Sequence, residues 1–491
     1  MSLCKDKPLI AGSLLIVLAF ALASFVSINT ARWIQDDTFI FLQYARNLIH
    51  GEGLVFNAGE RVCGVTSPLW TALLGPLFLV SDDPAQLATL LSALFGGAAL
   101  VALIGLFPRP ERATAGLAAA ALLLLSPPFR VWAISGMETS LFLFLIVLSL
   151  TLVRRRQSAW TGLVVGLCML TRPEGYLLAV AHLVGLLIRK ERPSGILRAA
   201  ITAIAVVAPW WIFSWSYFGS VIPQSVLAKK IVYAEVLFNT SPMMTLKAFL
   251  AGGPISLLLT ILAVVGLAVS RDRVRRHIDI ITFGFLYLVF YMVGRTFIHD
   301  WYILPITLVC AYGAGLAVAA IGARAAATAP HIGVFSTRRL TGIGMVLVVC
   351  AALVPMTSRA VHVLDAKQQY IESTLCQVAK FSREWPRDGS IFLNAIGCVG
   401  YYGDRHVIDS LGLVSPGVLP SCRRRAWVEP IREFSPEIVV LGPTAGTAEI
   451  EADPWFRANY RASARFEADP ELAKRGGTYA RSYRVFVRRA T

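Results

Sequence analysis

Two adjacent carboxylates, Asp36 and Asp37, are the residues whose types and spacing most directly indicate chemistry. They follow the first long apolar stretch of the chain. Like charges this close raise the pKa of at least one carboxyl, and partial desolvation raises it further, which suits a general base that takes a proton from a hydroxyl. The alternative is structural, because an aspartate before an apolar-periodic run stabilises the start of a helix. We expect Asp36, which is nearer the apolar stretch, to be the base, and Asp37 to cap the helix that begins near Thr38.

Cations accompany carboxylates in other hydrophilic breaks between apolar stretches. Arg172, Lys229 and Arg295 each stand at the end of such a stretch, where a Lys or Arg side chain would pair well with a phosphate. Snorkelling of long side chains explains single cations at these positions, but it explains less well why carboxylates accompany them. The accompanying polar residues are Glu138, Glu174, His299, Asp300 and Tyr302.

The elements that must position these residues are membrane helices. The chain has 491 residues, is 56% hydrophobic and has a mean hydropathy of +0.63, far more apolar than soluble domains. Apolar stretches of about 17–25 residues, the length of a membrane span, recur up to residue 357. We therefore predict a transmembrane domain over 1–357 and a soluble domain over 358–491. The predicted spans are 8–29, 85–106, 113–130, 138–153, 159–171, 175–188, 196–217, 253–270, 278–294, 301–320 and 341–357.

Two apolar segments need separate interpretation. Segment 67–80 is short and contains two prolines, so we predict a helix at the outer membrane surface rather than a twelfth span. The run 8–28 could be a cleaved signal peptide, but its length favours an uncleaved anchor.

Basic residues orient the spans. With the amino terminus in the cytoplasm, every dense arginine cluster of the membrane region faces the cytoplasm, as positive-inside topology requires. These clusters lie at 109–112, 154–156, 189–192, 271–276 and 324–339. The same topology accounts for the net charge of +16, so we do not expect nucleic-acid binding. The candidate residues and the soluble domain then share the extracytoplasmic face of a bacterial inner membrane.

The soluble domain is predicted to have an α/β fold. Short β-like runs at 391–395, 406–408, 438–441 and 483–487 alternate with helical segments such as 367–381. The turn Gly397-Cys398-Val399-Gly400 lacks the full dinucleotide fingerprint, which disfavours nucleotide binding. Outside the cytoplasm a disulfide could form among four of the eight cysteines, namely Cys63, Cys376, Cys398 and Cys422.

Several of these motifs together resemble the bacterial GT-C glycosyltransferases, in particular the group of the mycobacterial terminal β-(1→2)-arabinofuranosyltransferases. The similarity covers most of the chain in the same order. Its motifs are Asp36-Asp37, Tyr44-Ala45-Arg46-Asn47, Gly51-Glu52-Gly53-Leu54-Val55-Phe56-Asn57, Gly59-Glu60-Arg61-Val62, Thr66-Ser67-Pro68-Leu69-Trp70, Gly136-Met137-Glu138-Thr139, Arg172-Pro173-Glu174-Gly175, Pro223 to Lys229, Ile396 to Tyr402 and Val407 to Pro416.

This resemblance implies an inverting transfer of a sugar from a polyprenyl-phosphate donor to a cell-envelope glycan, lipid or protein, with Asp36 or Asp37 as the base. It also makes Tyr44, Arg46, Glu60 and Arg61 candidates for the substrate site. The chain departs from the group at Cys63, where an acidic residue is common, and at Gly294-Arg295, where many members have Gly-Asp. Both departures leave the sugar open.

The chemistry needs no cofactor. A sugar phosphodiester already carries a stabilised leaving group, so one base and two or three cations suffice. A divalent metal held by Asp36 or Asp37 with His299 or Asp300 is a further alternative. The expected partners are the lipid-linked donor, the acceptor and membrane lipids.

Two other classes fit the same composition. A transporter or flippase of lipid-linked sugars would also place charges within the membrane region, although internal repeats and midplane charges typical of transporters are missing from the sequence. A non-catalytic envelope assembly protein would use the soluble domain for binding.

Overall fold

The computed structural model describes residues 3–232, 241–250, 253–270, 274–295, 297–328, 334–442, 446–472 and 482–490. Parts of three predicted features lie outside these ranges. They are residues 233–240 of the extracytoplasmic loop expected between the spans 196–217 and 253–270, and residues 271–273 and 329–333 of the basic clusters 271–276 and 324–339. The helices up to residue 373 are α1 (Leu3–Ala31), α2 (Asp36–Ile49), α3 (Pro68–Leu74), α4 (Leu77–Val80), α5 (Pro84–Leu106), α6 (Arg109–Glu111), α7 (Leu117–Leu125), α8 (Pro127–Trp132), α9 (Thr139–Arg154), α10 (Ser158–Thr171), α11 (Gly175–Ile188), α12 (Pro193–Phe218), α13 (Gln224–Ala228), α14 (Pro242–Leu250), α15 (Gly253–Val269), α16 (Val274–Gly294), α17 (Leu304–Thr328) and α18 (Val334–Ser373).

The apolar helices confirm a polytopic helical membrane protein. Among the described residues, five helices are long and apolar enough to cross a bilayer: Leu9–Ala31, Pro84–Leu106, Pro193–Phe218, Arg275–Gly294 and Asp300–Arg324. Shorter apolar helices occupy other predicted spans, including α9, α10 and α11. The number of eleven crossings stays a prediction. Segment 67–80 forms the two short helices α3 and α4.

The predicted span 113–130 is broken into pieces. A wider helical turn, Arg112–Gly116, leads into α7, which ends at Leu125; Ser126 is extended, and α8 starts with Pro127. A proline has no N–H to donate and its ring clashes with the preceding turn, so a helix cannot continue through it unchanged. Gly116 allows α7 to approach α5 closely, because a Cβ there would lie 2.8 Å from the backbone oxygen of Ile104.

A five-stranded mixed sheet forms in the carboxy-terminal part. Its strands are β1 (Ile391–Leu393), β2 (Val407–Asp409), β3 (Ile438–Leu441), β4 (Tyr460–Glu467) and β5 (Ser482–Arg488), in the order β2-β1-β3-β5-β4. Strand β1 pairs in parallel with β2 and β3, with Ile391 opposite Val407 and Ile438, whereas β5 is antiparallel to β3 and β4. The accompanying helices are α19 (Leu375–Glu384), α20 (Ile396–Tyr402), α21 (Leu419–Arg424), α22 (Glu429–Phe434), α23 (Thr447–Ala452) and α24 (Pro454–Asn459).

Two contacts join the membrane helices to this sheet region. Helix α18 runs without a break through the predicted domain boundary at 357, so it connects the two parts directly. Helix α2, in the first loop, packs against α20. Because α2 begins with Asp36 and Asp37, this second contact determines the surroundings of the candidate base.

Candidate functional site

The aspartate pair occupies the first turn of α2. The N-cap position before them is taken by Gln35, which makes no side-chain cap bond. The prediction that Asp37 caps a helix beginning near Thr38 is therefore wrong, because the helix already includes both aspartates. A carboxylate in this first turn favours the helix through its charge near the amino terminus.

The Asp36 carboxylate is held by the carboxy-terminal domain. The backbone N–H of Cys398 donates to Oδ1 at 2.7 Å and that of Gly397 donates to Oδ2 at 3.2 Å. Asp36 is only 3% exposed, and burial raises the pKa of its carboxyl to about 7, against the effect of the two backbone donors. A Cβ on Gly397 would lie 2.0 Å from the backbone oxygen of Asp36, so only glycine permits this approach.

Asp37 has different surroundings. It is partly exposed, and the Lys229 ammonium opposes the rise in pKa that burial causes in its carboxyl. Lys229 donates to the Tyr302 hydroxyl at 3.2 Å and lies 5.9 Å from the centre of the same ring. The structure thus brings Asp37, Lys229 and Tyr302 together from three distant parts of the chain.

Tyr302 is fixed from several sides. Its backbone carbonyl accepts a hydrogen bond from the Tyr287 hydroxyl at 2.9 Å. His299 packs edge-on to its ring, at 5.6 Å between centroids, and stacks on Trp301 at 4.3 Å. Burial, together with Lys229, lowers the pKa of His299 to about 3, so this imidazole is neutral near pH 7.

Arg172 is the centre of a buried ion network. It donates to Glu138 Oε1 at 2.8 Å and to Glu174 Oε1 at 2.9 Å, and its guanidinium lies 5.1 Å from the centre of the Tyr302 ring. The Tyr291 hydroxyl also donates to Glu174. Burial alone would raise the pKa of Glu174, but Arg172 more than compensates and lowers it. The other oxygen of Glu138, Oε2, is buried and has no hydrogen-bond partner among the residues that the structure describes, and Asp37 acts on this carboxylate electrostatically.

Arg295 and Asp300 lie nearer the surface. Arg295 is exposed just after α16, with a positive φ of 48°. Asp300 is exposed at the start of a short 3₁₀ turn and interacts electrostatically with Lys367. Phosphate binding by Arg172, Lys229 and Arg295 stays a prediction.

Four other predicted site residues hold the first loop in place. The Tyr44 hydroxyl donates to the Val62 carbonyl at 2.7 Å and accepts from the N–H of Gly64. Arg46 donates to the Tyr401 carbonyl at 2.9 Å and lies over that ring. Glu60 meets His406 at 3.4 Å, and Arg61 lies 4.6 Å from the centre of the Tyr217 ring. Arg46 and Glu60 therefore contact the carboxy-terminal domain.

Sequence reasoning missed two residues that dock this domain. Asn57 exchanges two hydrogen bonds of 2.9 Å with the backbone of Val407, as a neighbouring strand would. Gln224 donates to the Gly412 carbonyl at 3.1 Å. Both belong to motifs that carry the resemblance. Their amide side chains, which can hydrogen-bond to backbone groups, were the only sequence signal for these contacts. We refer to the contacts of Asp36, Arg46, Asn57 and Glu60 with the carboxy-terminal domain as the loop clamp.

Metal binding by Asp36 or Asp37 stays a prediction. Within the described ranges, no three His, Cys, Asp or Glu side chains are grouped as ligands of a metal ion would be.

Comparison with known proteins finds similarity in two parts of the chain. Residues 67–293, a little under half of the chain, match the family model "Glycosyltransferase family 87", and residues 360–486 match a domain of unknown function, DUF8728. The first match agrees with the resemblance seen in the sequence. Glu138, Arg172, Glu174 and Lys229 lie within the first matched range, whereas the aspartate pair precedes it and Tyr302 follows it.

Two curated relatives and two solved structures are also similar to this chain. The terminal β-(1→2)-arabinofuranosyltransferases of Mycobacterium tuberculosis and Corynebacterium glutamicum are 32% and 30% identical over 225 and 229 residues. These matches cover 40% and 41% of this chain, but only 35% and 33% of the relatives' lengths. ArnT from Cupriavidus metallidurans, crystallised with undecaprenyl phosphate and in the apo state, superposes with a TM-score of 0.58 in both states. The first of these structures is 13% identical, with 96% of this chain and 97% of ArnT covered, so it supports the GT-C fold.

Proposed function

We propose that this protein transfers a sugar from a polyprenyl-phosphate donor to a cell-envelope acceptor, with inversion, on the extracytoplasmic face of the membrane. The observation that carries the proposal is the meeting of Asp37, Lys229 and Tyr302 beside the Arg172 network. A carboxylate next to fixed cations is what this reaction requires. The match of residues 67–293 to glycosyltransferase family 87 supports the reaction class, and the arabinofuranosyltransferase relatives and the undecaprenyl phosphate bound to ArnT support this class of donor.

Asp37 is the carboxylate that we propose as the base. It is more exposed than Asp36, and both Asp36 oxygens already accept backbone hydrogen bonds. Asp37 takes the proton of the acceptor hydroxyl as the acceptor oxygen forms its bond to the anomeric carbon. The bond from that carbon to the phosphate oxygen breaks, and its electron pair remains on the phosphate. Attack opposite the leaving group inverts the anomeric centre.

Lys229 is the cation best placed to receive the phosphate. Its ammonium donates to the Tyr302 hydroxyl, and it lies close enough to Asp37 to lower the pKa of that carboxyl. A lipid phosphate that accepts a hydrogen bond from Lys229 would thus bring the anomeric carbon near the base.

Arg172 has a more indirect role in the arrangement observed. Its guanidinium is shared by two carboxylates, so direct phosphate binding requires that one of them give way. Its positive charge still supports negative charge developing near Tyr302, and its ion pairs hold Glu138 and Glu174 in position. The unpartnered Glu138 Oε2 is an acceptor for a sugar hydroxyl.

A transfer assay on purified protein in nanodiscs tests this function. Radiolabelled polyprenyl-phosphate pentoses and hexoses are offered with envelope acceptor fractions, and donor binding is measured separately. We expect transfer from at least one donor, and weaker donor binding when Arg172, Lys229 and Arg295 are all replaced by alanine. Unchanged donor affinity in that triple variant would put the phosphate site elsewhere. Movement of the donor between leaflets without any transfer would favour the flippase alternative.

A further inference from the structure

Two cysteines meet directly behind the Asp36 contact. Cys376 is the second residue of α19 and Cys398 the third residue of α20. Their Sγ atoms are 3.3 Å apart. A disulfide needs the two sulfurs at about 2.05 Å, so they would have to move roughly 1.3 Å closer. The two helices that carry them already pack against each other.

The two thiols differ in access and acidity. Cys398 is 1% exposed, whereas Cys376 is partly exposed. A hydrogen bond from the Cys398 thiol lowers the pKa of Cys376, and the same interaction together with burial raises the pKa of Cys398. Thiolates are the reactive form of cysteine, so Cys376 is suited to react first with an external oxidant and Cys398 to react second.

The other cysteines outside the apolar helices have different contacts. The Cys63 thiol points to the Val65 carbonyl at 3.8 Å, and the Cys422 thiol points to the Ser410 carbonyl at 3.4 Å. Neither is paired with a second sulfur among the described residues. The geometry therefore distinguishes one pair from the alternatives that the sequence left open.

We propose that Cys376 and Cys398 are joined by a disulfide in the mature protein, which fixes α20 and thereby the backbone donors of the Asp36 carboxylate. This inference rests on the extracytoplasmic placement in the proposed function, because disulfides persist in oxidising compartments. The oxidant is a protein disulfide of the thiol–disulfide exchange class. The Cys376 thiolate attacks one sulfur of the oxidant, releases the other as a thiolate and forms a mixed disulfide. The Cys398 thiolate then attacks the Cys376 sulfur, forms the intramolecular disulfide and releases the oxidant sulfur that was bonded to Cys376. The pair loses two electrons and two protons, and the oxidant leaves as a dithiol.

The disulfide would act on the loop clamp. Cys398 supplies both a sulfur and the N–H that binds Asp36 Oδ1. A covalent link at this residue limits the movement of α20 away from α2. Reduction should therefore loosen the Asp36 contact without removing any group that we place in contact with substrate.

The first test is differential alkylation of the full chain in its own membrane. Cells are precipitated with acid, and the protein is denatured in N-ethylmaleimide, so that burial protects no free thiol. It is then reduced, alkylated with iodoacetamide and analysed by mass spectrometry. We expect iodoacetamide on Cys376 and Cys398 but N-ethylmaleimide on Cys422. N-ethylmaleimide on both Cys376 and Cys398 in the denatured sample would overturn the inference.

A topology reporter separates this inference from the proposed function. If a fusion after Thr491 is active outside the cytoplasm and the thiols are free, only the disulfide proposal is refuted. If the fusion is active only in the cytoplasm, the proposed extracytoplasmic reaction is refuted as well.

The positioning role is tested with Cys376→Ser and the matched variant Cys422→Ser. Loss of the disulfide should lower the unfolding midpoint of the whole protein by several degrees, and reducing agent should have the same effect on the wild type but none on Cys376→Ser. The pH profile of transfer should also shift in Cys376→Ser and not in Cys422→Ser. Equal responses of both variants to reducing agent would contradict a role for this pair.

Discussion

Replacing each aspartate of the pair by asparagine should separate two different roles. Asp37→Asn removes the proposed base while nearly preserving shape, so we expect turnover to fall by about 10² to 10⁴ with little change in donor binding. Asp36→Asn changes the group that binds α20, so its main effect should be on the pH dependence of stability.

The magnitude for Asp36 follows from its pKa, which is about 7 in the fold against 3.8 for the free side chain. A raised pKa means that the folded state binds the proton more tightly than the unfolded state. Below about pH 4 the carboxyl is protonated in both states and does not reduce the free energy of unfolding. Between pH 4 and 7 it ionises mainly in the unfolded state, so the free energy of unfolding declines as the pH rises. Above pH 7 it is ionised in both states, and the full loss of stability has been reached. About 3 pKa units correspond to roughly 4 kcal/mol. Asparagine cannot ionise, so this share of the pH dependence should disappear.

The assay combines thermal unfolding at pH 5 and pH 8 with transfer kinetics on the same nanodisc preparations. The wild type should be less stable at pH 8 than at pH 5 by more than Asp36→Asn is, and Asp36→Asn should keep the turnover that Asp37→Asn loses. If Asp36→Asn abolished turnover while Asp37→Asn retained it, Asp36 would be the base, as the sequence alone favoured. Retention of turnover in both variants would leave the proposed mechanism without a base.

Three further substitutions or fusions test the clamp, the phosphate site and the topology. Gly397→Ala should weaken the contact between α20 and Asp36 by about 3 kcal/mol or more and lower the unfolding midpoint, because the added methyl group forces apart two charge-assisted hydrogen bonds. The control is Gly105→Ala, since a methyl group at Gly105 meets only open space. Lys229→Ala should weaken donor binding by roughly 1.5–3 kcal/mol, and the exposed neighbour in Lys230→Ala should leave it unchanged; equal losses would indicate a nonspecific charge effect. A reporter active only outside the cytoplasm should work after Asn57 and fail after Arg156, and the reverse result would invert the predicted orientation.

Much of the fold followed from local pattern. Four strands were predicted at nearly the observed positions, because short apolar runs between turn residues are local signals. The strand β4 was missed, since Tyr460–Glu467 is an edge strand with few apolar residues and its pairing with β5 is not visible locally. The predicted helix 367–381 is interrupted at Thr374, whose backbone leaves helical geometry at φ −120° and ψ −84°.

The site was less accessible to sequence reasoning. Asp36, Lys229 and Arg172 could be selected from their charge and position, but their partners depend on tertiary contacts. Asp36 meets Cys398, which lies 362 positions later in the chain. Likewise, the charge of Arg172 predicted an anion partner, but two carboxylates within the protein meet that requirement in the structure. Sequence spacing does not distinguish an internal partner from a bound phosphate.

The loop clamp also has a consequence for biogenesis. A ribosome that adds about 5–20 residues per second reaches Cys398 some 18–72 s after Asp36. During this interval the N–H groups of Gly397 and Cys398 do not yet exist, so the Asp36 carboxylate cannot form these two hydrogen bonds. The carboxy-terminal part must be translocated and folded before the first loop attains its final arrangement. Completion of synthesis is therefore a precondition for an assembled site, so a membrane-inserted chain cut off before α20 would be expected to remain inert.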